Sequence, residues 1–281
     1  SQTANLTFYF TNTAGVDSVA GTTPIPANGQ IAKFLNEAPF SGGSSLQGSF
    51  SFTSDVSVSV IALRGLTNER GEFLITTLPV TDLSAATSAE AVALSHFADG
   101  GGWATQIVLV NPSDATITGS IQFFSQGTVN TAAVPVTLVA SSQGGSAESG
   151  SSFTYTIPRR SSFKLVTVGT ASATASGSVR VTPSSGVAPS ALVVFSYRPP
   201  GAGVTVSEAG VPGIRGSAFR MYVEATSAGS AVGTIQTGLA ISNLAPSATT
   251  ATVDLINLDG TATGLPSVNL ILPANGQVAK F

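Results

Sequence analysis

Apolar and polar residues alternate over short stretches along the whole chain. Leu6–Phe10, Val56–Leu63, Gln106–Val110, Ser120–Phe124, Val134–Val139, Phe153–Ile157, Ser178–Thr182, Ala191–Tyr197 and Val253–Leu258 are each rich in β-branched and aromatic residues. Alternation of this kind puts one set of side chains on one face of a pleated strand. Gly, Pro, Asn and Ser punctuate the runs, as expected of successive strands joined by turns. The one helix-tempting stretch, Leu83–Leu94, is Ala-rich, lacks a clean apolar face and reads as a linker. With no helices to alternate with strands, the pattern predicts an all-β chain of tandem antiparallel immunoglobulin-like β-sandwich modules.

A long-period repeat supports that division. Residues 25–34 read IPANGQIAKF and residues 272–281 read LPANGQVAKF, 247 positions apart, and the same offset sets Leu6 on Val253 and Phe8 on Leu255. A half-period lies inside it: IVLVNPSDATITGSIQFF from Ile107 matches LAISNLAPSATTATVDLI from Leu239, with Asn111 on Asn243. IPRRSSFKL at 157–165 repeats the IPANGQIAKF theme, GSVRVTP at 177–183 matches GSFSFTS at 48–54, and Pro212 falls opposite Pro79. The Ser/Gly stretch at 141–152 reads as an inserted surface loop.

Three modules follow: 1–80, 91–212 and 217–281. The middle one is complete. The first lacks counterparts of Phe219–Glu224 and Thr237–Asn243, and the third lacks counterparts of Leu35–Val80. A partial sandwich exposes core and strand edges, so neighbours are expected to complete both. Such completion arises by head-to-tail self-association into a homopolymer or by covalent tandem repeats. The residues expected at such junctions are Leu6, Phe8, Phe10, Leu239, Ile241, Val253, Leu255 and Phe281. Ser1 without a preceding Met suggests a processed or excised chain.

Composition narrows the function classes. Hydrophobic residues make up 42% of the 281 positions and charged ones 9%, against about 25% charged in ordinary soluble domains. A net charge of −3 gives no basic field for nucleic acid. Without cysteine there is neither a disulfide framework nor a thiolate metal site, and no apolar run is long enough for a spanning helix. His96 is the only histidine, which argues against a zinc site and leaves one residue for any catalytic triad. The carboxylates are dispersed; Glu69 and Glu72 sit in a polar turn, NERGE, and Asp99 precedes a Gly turn without the ligand spacing of a calcium loop. The lone Trp103 reads as a core anchor, with a sugar platform as the other reading. RPPGAG at 198–203 reads as a hairpin turn, and Arg159 and Arg160 as solvated turn residues or subunit contacts. No cofactor, metal or catalytic residue is indicated, and the chain reads as a non-enzyme.

The tract FADGGGWATQIVLVNPSDATITGSIQFF, with IPRRSSFKLVTVGT, SGSVRVTP, ALVVFSYR and VTVSEAGVP, resembles tandem repeat modules of large secreted bacterial surface or fibre proteins. That resemblance implies export and tandem β-modules, with no catalytic residues to carry over. The expected role is a structural segment of an extracellular filament or cell-surface array. An adhesin or carbohydrate-binding module, with a glycan ligand, is the alternative.

Overall fold

The computed structural model describes residues 2–78, 80–126, 133–140, 146–226 and 231–280. The chain is all-β, with 49% of residues in strands. Its first strand, β1 (Ala4–Asn12), pairs antiparallel with β2 (Asp17–Ile25) and β3 (Gly48–Ser54) in the order β2-β1-β3. Alternate residues Ala4, Leu6, Phe8 and Phe10 of β1 are buried on one face. The connection after β2 carries Phe40 onto that face, where its ring meets Phe8 edge-on at 5.1 Å and Phe50 at 5.2 Å. A hairpin of β4 (Ala62–Thr67) and β5 (Phe73–Leu78) follows, closed by the NERGE turn. There the Asn68 carbonyl oxygen of the side chain accepts from the Arg70 and Glu72 amides.

Ten strands come next: β6 (Val92–Asp99), β7 (Trp103–Val110), β8 (Ile117–Ser125), β9 (Val136–Ala140), β10 (Glu148–Gly150), β11 (Ser152–Ile157), β12 (Ser162–Thr167), β13 (Ala175–Ser185), β14 (Ser190–Tyr197) and β15 (Ser207–Pro212). They form a six-stranded sheet, β10-β9-β12-β7-β14-β15, and a four-stranded sheet, β11-β8-β13-β6. One core joins them: Ile107, Leu109, Phe163, Leu165 and Val193 from the first sheet pack with Phe97, Ile121, Phe123, Tyr155 and Val179 from the second. Strict alternation of buried and less buried residues along β8, β11 and β12 is the signature of strands covered on one face. This arrangement is consistent with a β-sandwich.

Four short strands close the chain: β16 (Leu239–Ser242), β17 (Thr249–Val253), β18 (Val268–Leu272) and β19 (Gln277–Lys280). They make two-stranded ladders, β16-β19 and β17-β18.

Several expected elements end elsewhere. Val56–Ile61 lies outside the ladders and the strand is Ala62–Thr67, while residues 254–258 continue past β17 without becoming strand. Val92–Leu94 belongs to β6, so the linker ends at Ala91. Within the Ser/Gly stretch, residues 141–145 lie outside the described residues. Glu148–Gly150 pairs with β9 as β10, and Ser152 opens β11, so this part is strand rather than loop. The physical reason is the same throughout: alternation makes a segment competent for a strand, and a hydrogen-bonding neighbour makes it one.

Candidate assembly surface

The strand pairings fall on the repeat. Leu239↔Lys280 and Ser242↔Gln277 occupy the repeat positions of Ile107↔Leu165 and Val110↔Ser162. Thr249↔Leu272 likewise repeats Ile117↔Ile157. The sheet order β2-β1-β3 matches β11-β8-β13. Here the ungapped alignment needs one correction. Ala4 faces Ile25 as Thr249 faces Leu272, so Leu6 stands at the place of Ala251 and Phe8 at that of Val253, two residues from the sequence match. An even shift preserves the buried face.

Local details repeat too. The Thr105 hydroxyl donates to the Ala98 carbonyl (2.8 Å) and accepts from its amide (3.0 Å), clasping β6 to β7. Thr237 clasps Glu224 in the same way, with both bonds at 2.9 Å. Gly48 and Gly177 each lie so close to the neighbouring strand that a Cβ would strike a carbonyl oxygen, that of Thr11 and that of Phe124.

Exposure divides the molecule sharply. Every exposed large hydrophobic side chain among the described residues lies between Val16 and Leu83 or between Val211 and Ile271; within the central sandwich the one such residue is Val211, on the edge strand β15. Phe34, Leu63, Phe73 and Ile75 form one set, with Phe34 and Phe73 edge-on at 6.5 Å; Phe219, Met221, Tyr222 and Val223 form another. Of the residues expected at junctions, Leu6, Phe8 and Phe10 are buried within their own sheet. Leu239, Ile241 and Val253 are half-buried and Leu255 is exposed. Phe281 lies outside the described residues. Phe50, Phe52, Phe219, Met221 and Val223 are not among the residues expected at junctions, although the alternation FRMYVE at 219–224 is visible in the sequence.

Polar contacts hold the flanking pieces on the central sandwich. Arg159 and Arg160 both reach Asp17 at 3.2 Å, Arg160 also pairs with Asp114, and Ser161 Oγ donates to the Asn12 carbonyl at 2.7 Å. The two arginines are thus within-chain clamps. The hairpin β4-β5 lies against β15 through the Arg64–Glu208 ion pair and a 3.0 Å bond from the Thr77 hydroxyl to the Gly210 carbonyl. On the other side, β16 and β19 meet β6: Ser242 Oγ and Ser95 Oγ are 2.9 Å apart, and Arg180 donates to Asn275 Oδ1 at 2.8 Å.

The chemistry-bearing residues do not converge. His96 is half-buried between the Phe195 ring (5.6 Å) and Gln277 (3.4 Å from Nδ1), and burial lowers its pKa. Glu69 accepts from the Thr205 amide at 2.9 Å and Asp99 from the Gly169 amide at 2.8 Å, both as loop fasteners. Among the described residues no three metal-ligating side chains gather. No helix among the described residues is long and apolar enough to cross a membrane. Trp103 stands outside the core, half-buried against Tyr197 at 4.6 Å between ring centres.

No family model matches the sequence, and no curated protein or solved structure matches it either.

Proposed function

We propose that this chain is a structural segment of a secreted extracellular filament or cell-surface array. It comprises three copies of one immunoglobulin-like module, a complete one flanked by two that neighbours complete. The neighbours are further copies joined head to tail or repeats in covalent tandem. The observation that carries this reading is the division of exposure: among the described residues the exposed large apolar side chains, Val211 on the edge strand β15 aside, all lie in the segments to either side of the central sandwich. Repeated pairings, the repeated Thr clasp and the repeated close-approach glycines support one module type used three times. Covering the exposed set contributes about 25 cal/mol per Å² of apolar surface, so assembly and folding of the flanking modules are coupled.

Sedimentation velocity across a concentration series, with electron microscopy of the same samples, tests the reading. Concentration-dependent linear polymers with a regular axial repeat are expected. A chain that stays monomeric and fully folded at high concentration overturns assembly between copies.

A second reading, a glycan-binding module, draws on the half-exposed Trp103–Tyr197 pair beside the 198–203 turn. Glycan-array binding lost in Trp103→Ala would favour it.

A further inference from the structure

The free edge of β3 has a counterpart that is not free. In the central sandwich β13 is flanked by β8 and β6, whereas β3, at the same repeat position, pairs only with β1 among the described residues. We infer that the outer edge of β3 is the acceptor for the Phe219–Glu224 segment of a second copy of this chain, added antiparallel as β6 adds to β13. This rests on the assembly reading above.

The donor is identified by its own geometry. Glu224 is clasped by Thr237 as Ala98 is by Thr105, which sets Val223 at the position of Phe97, a fully buried core residue. Counting back, Phe219, Met221 and Val223 fall on one face and Arg220, Tyr222 and Glu224 on the other, the alternation of a half-buried strand. Yet among the described residues the segment pairs with no strand in its own chain, and Phe219 and Met221 are 66% and 49% exposed. A strand-competent sequence left without a ladder is suited to β-augmentation of an open edge.

The register follows from the central pairing. Val179 faces Leu94, Arg180 faces Ala93 and Val181 faces Val92, after a bulge that gives β6 one extra residue between Phe97 and Leu94. The donor alternates without a bulge, so Met221 comes opposite Phe50, Arg220 opposite Ser51 and Phe219 opposite Phe52. Phe50 and Phe52 are half-buried against the Phe8–Phe10–Phe40 cluster, so the inward donor side chains join an existing apolar face. The Gly48 carbonyl already accepts from Ser162 Oγ at 2.8 Å, which confines the added strand to the stretch beyond Ser49.

A chain with no cysteine makes the test clean. Single variants Ser51→Cys and Arg220→Cys are mixed at assembling concentration and oxidised, and the products are separated without reductant. The expected result is a disulfide-linked dimer containing one of each, lost when Met221→Asp is added to the Arg220→Cys chain. Polymers that form without that mixed dimer overturn this pairing and leave the assembly reading standing. Absence of any association by sedimentation overturns both. A chain carrying both cysteines that closes on itself as a monomer overturns the assignment of a second copy.

Discussion

The side-chain amide of Asn243 repeats the three hydrogen bonds donated by that of Asn111. The Asn111 amide donates to the carbonyls of Ala115 (2.8 Å), Ile157 (3.1 Å) and Pro158 (2.9 Å), and the Asn243 amide to those of Ser247 (2.8 Å), Leu272 (3.4 Å) and Pro273 (3.0 Å). Each side chain ties the end of one strand to a turn and to the end of a strand in a different sheet. Replacing Asn111 by Ala removes the donor shared by these three carbonyls, at a cost of about 1–3 kcal/mol. Urea unfolding should show a lower midpoint for Asn111→Ala.

Tyr155 points the other way. Its side chain is buried, its hydroxyl has no hydrogen-bond partner, and desolvation pushes its pKa up to about 12. An unpaired buried hydroxyl costs stability, so Tyr155→Phe should be neutral or stabilising by up to about 1 kcal/mol. In the parent protein the unfolded chain ionises first as pH rises above 10, so stability should fall between pH 10 and about 12. Alkaline unfolding curves of the parent and Tyr155→Phe should differ in that window.

Burial holds the His96 pKa below its usual 6.5. A lowered pKa means that the folded state binds the proton less readily than the unfolded one. Stability is therefore retained above 6.5 and lost as pH falls from there through the folded value. Since His96 is the only histidine, His96→Gln should flatten denaturation midpoints between pH 8 and pH 5.5, and a slope unchanged by the substitution would contradict this account.

Phe40 is the lid of the β1–β3 sheet. Phe40→Ala should cost that sheet about 3–5 kcal/mol by cavity formation. Hydrogen exchange should then accelerate across β1, β2 and β3 while the central sandwich keeps its protection. Uniform acceleration would show that the parts unfold together.

Gly177→Ala should be far worse than an exposed glycine substitution, because the new methyl meets the Phe124 carbonyl with no room between paired strands. Loss of soluble folded protein is expected. Gly201→Ala, where nothing lies near the added carbon but φ is +78°, should cost only about 1 kcal/mol by thermal denaturation.

The sequence by itself determined the class of secondary structure and the repeat. Alternation in Phe153–Ile157, and the matched positions of Asn111 and Asn243, are properties of the chain alone, legible because pleated strands impose a period on their covered face. The junction surface was less legible. Phe8 and Phe10 proved buried under Phe40, a residue in a loop with no periodic signal, while Phe219 and Met221 proved exposed.

Only the tertiary structure decided which competent segments became strands. Gln277–Lys280 reads QVAK and is strand β19, paired with β16; Gln30–Lys33 reads QIAK and is not a strand. Composition and alternation are nearly identical, so local propensity cannot separate them. The difference is a neighbour: β16 offers its backbone hydrogen bonds to one copy, and no ladder reaches the other. A strand is a relation between two segments, and a sequence states only one side of it.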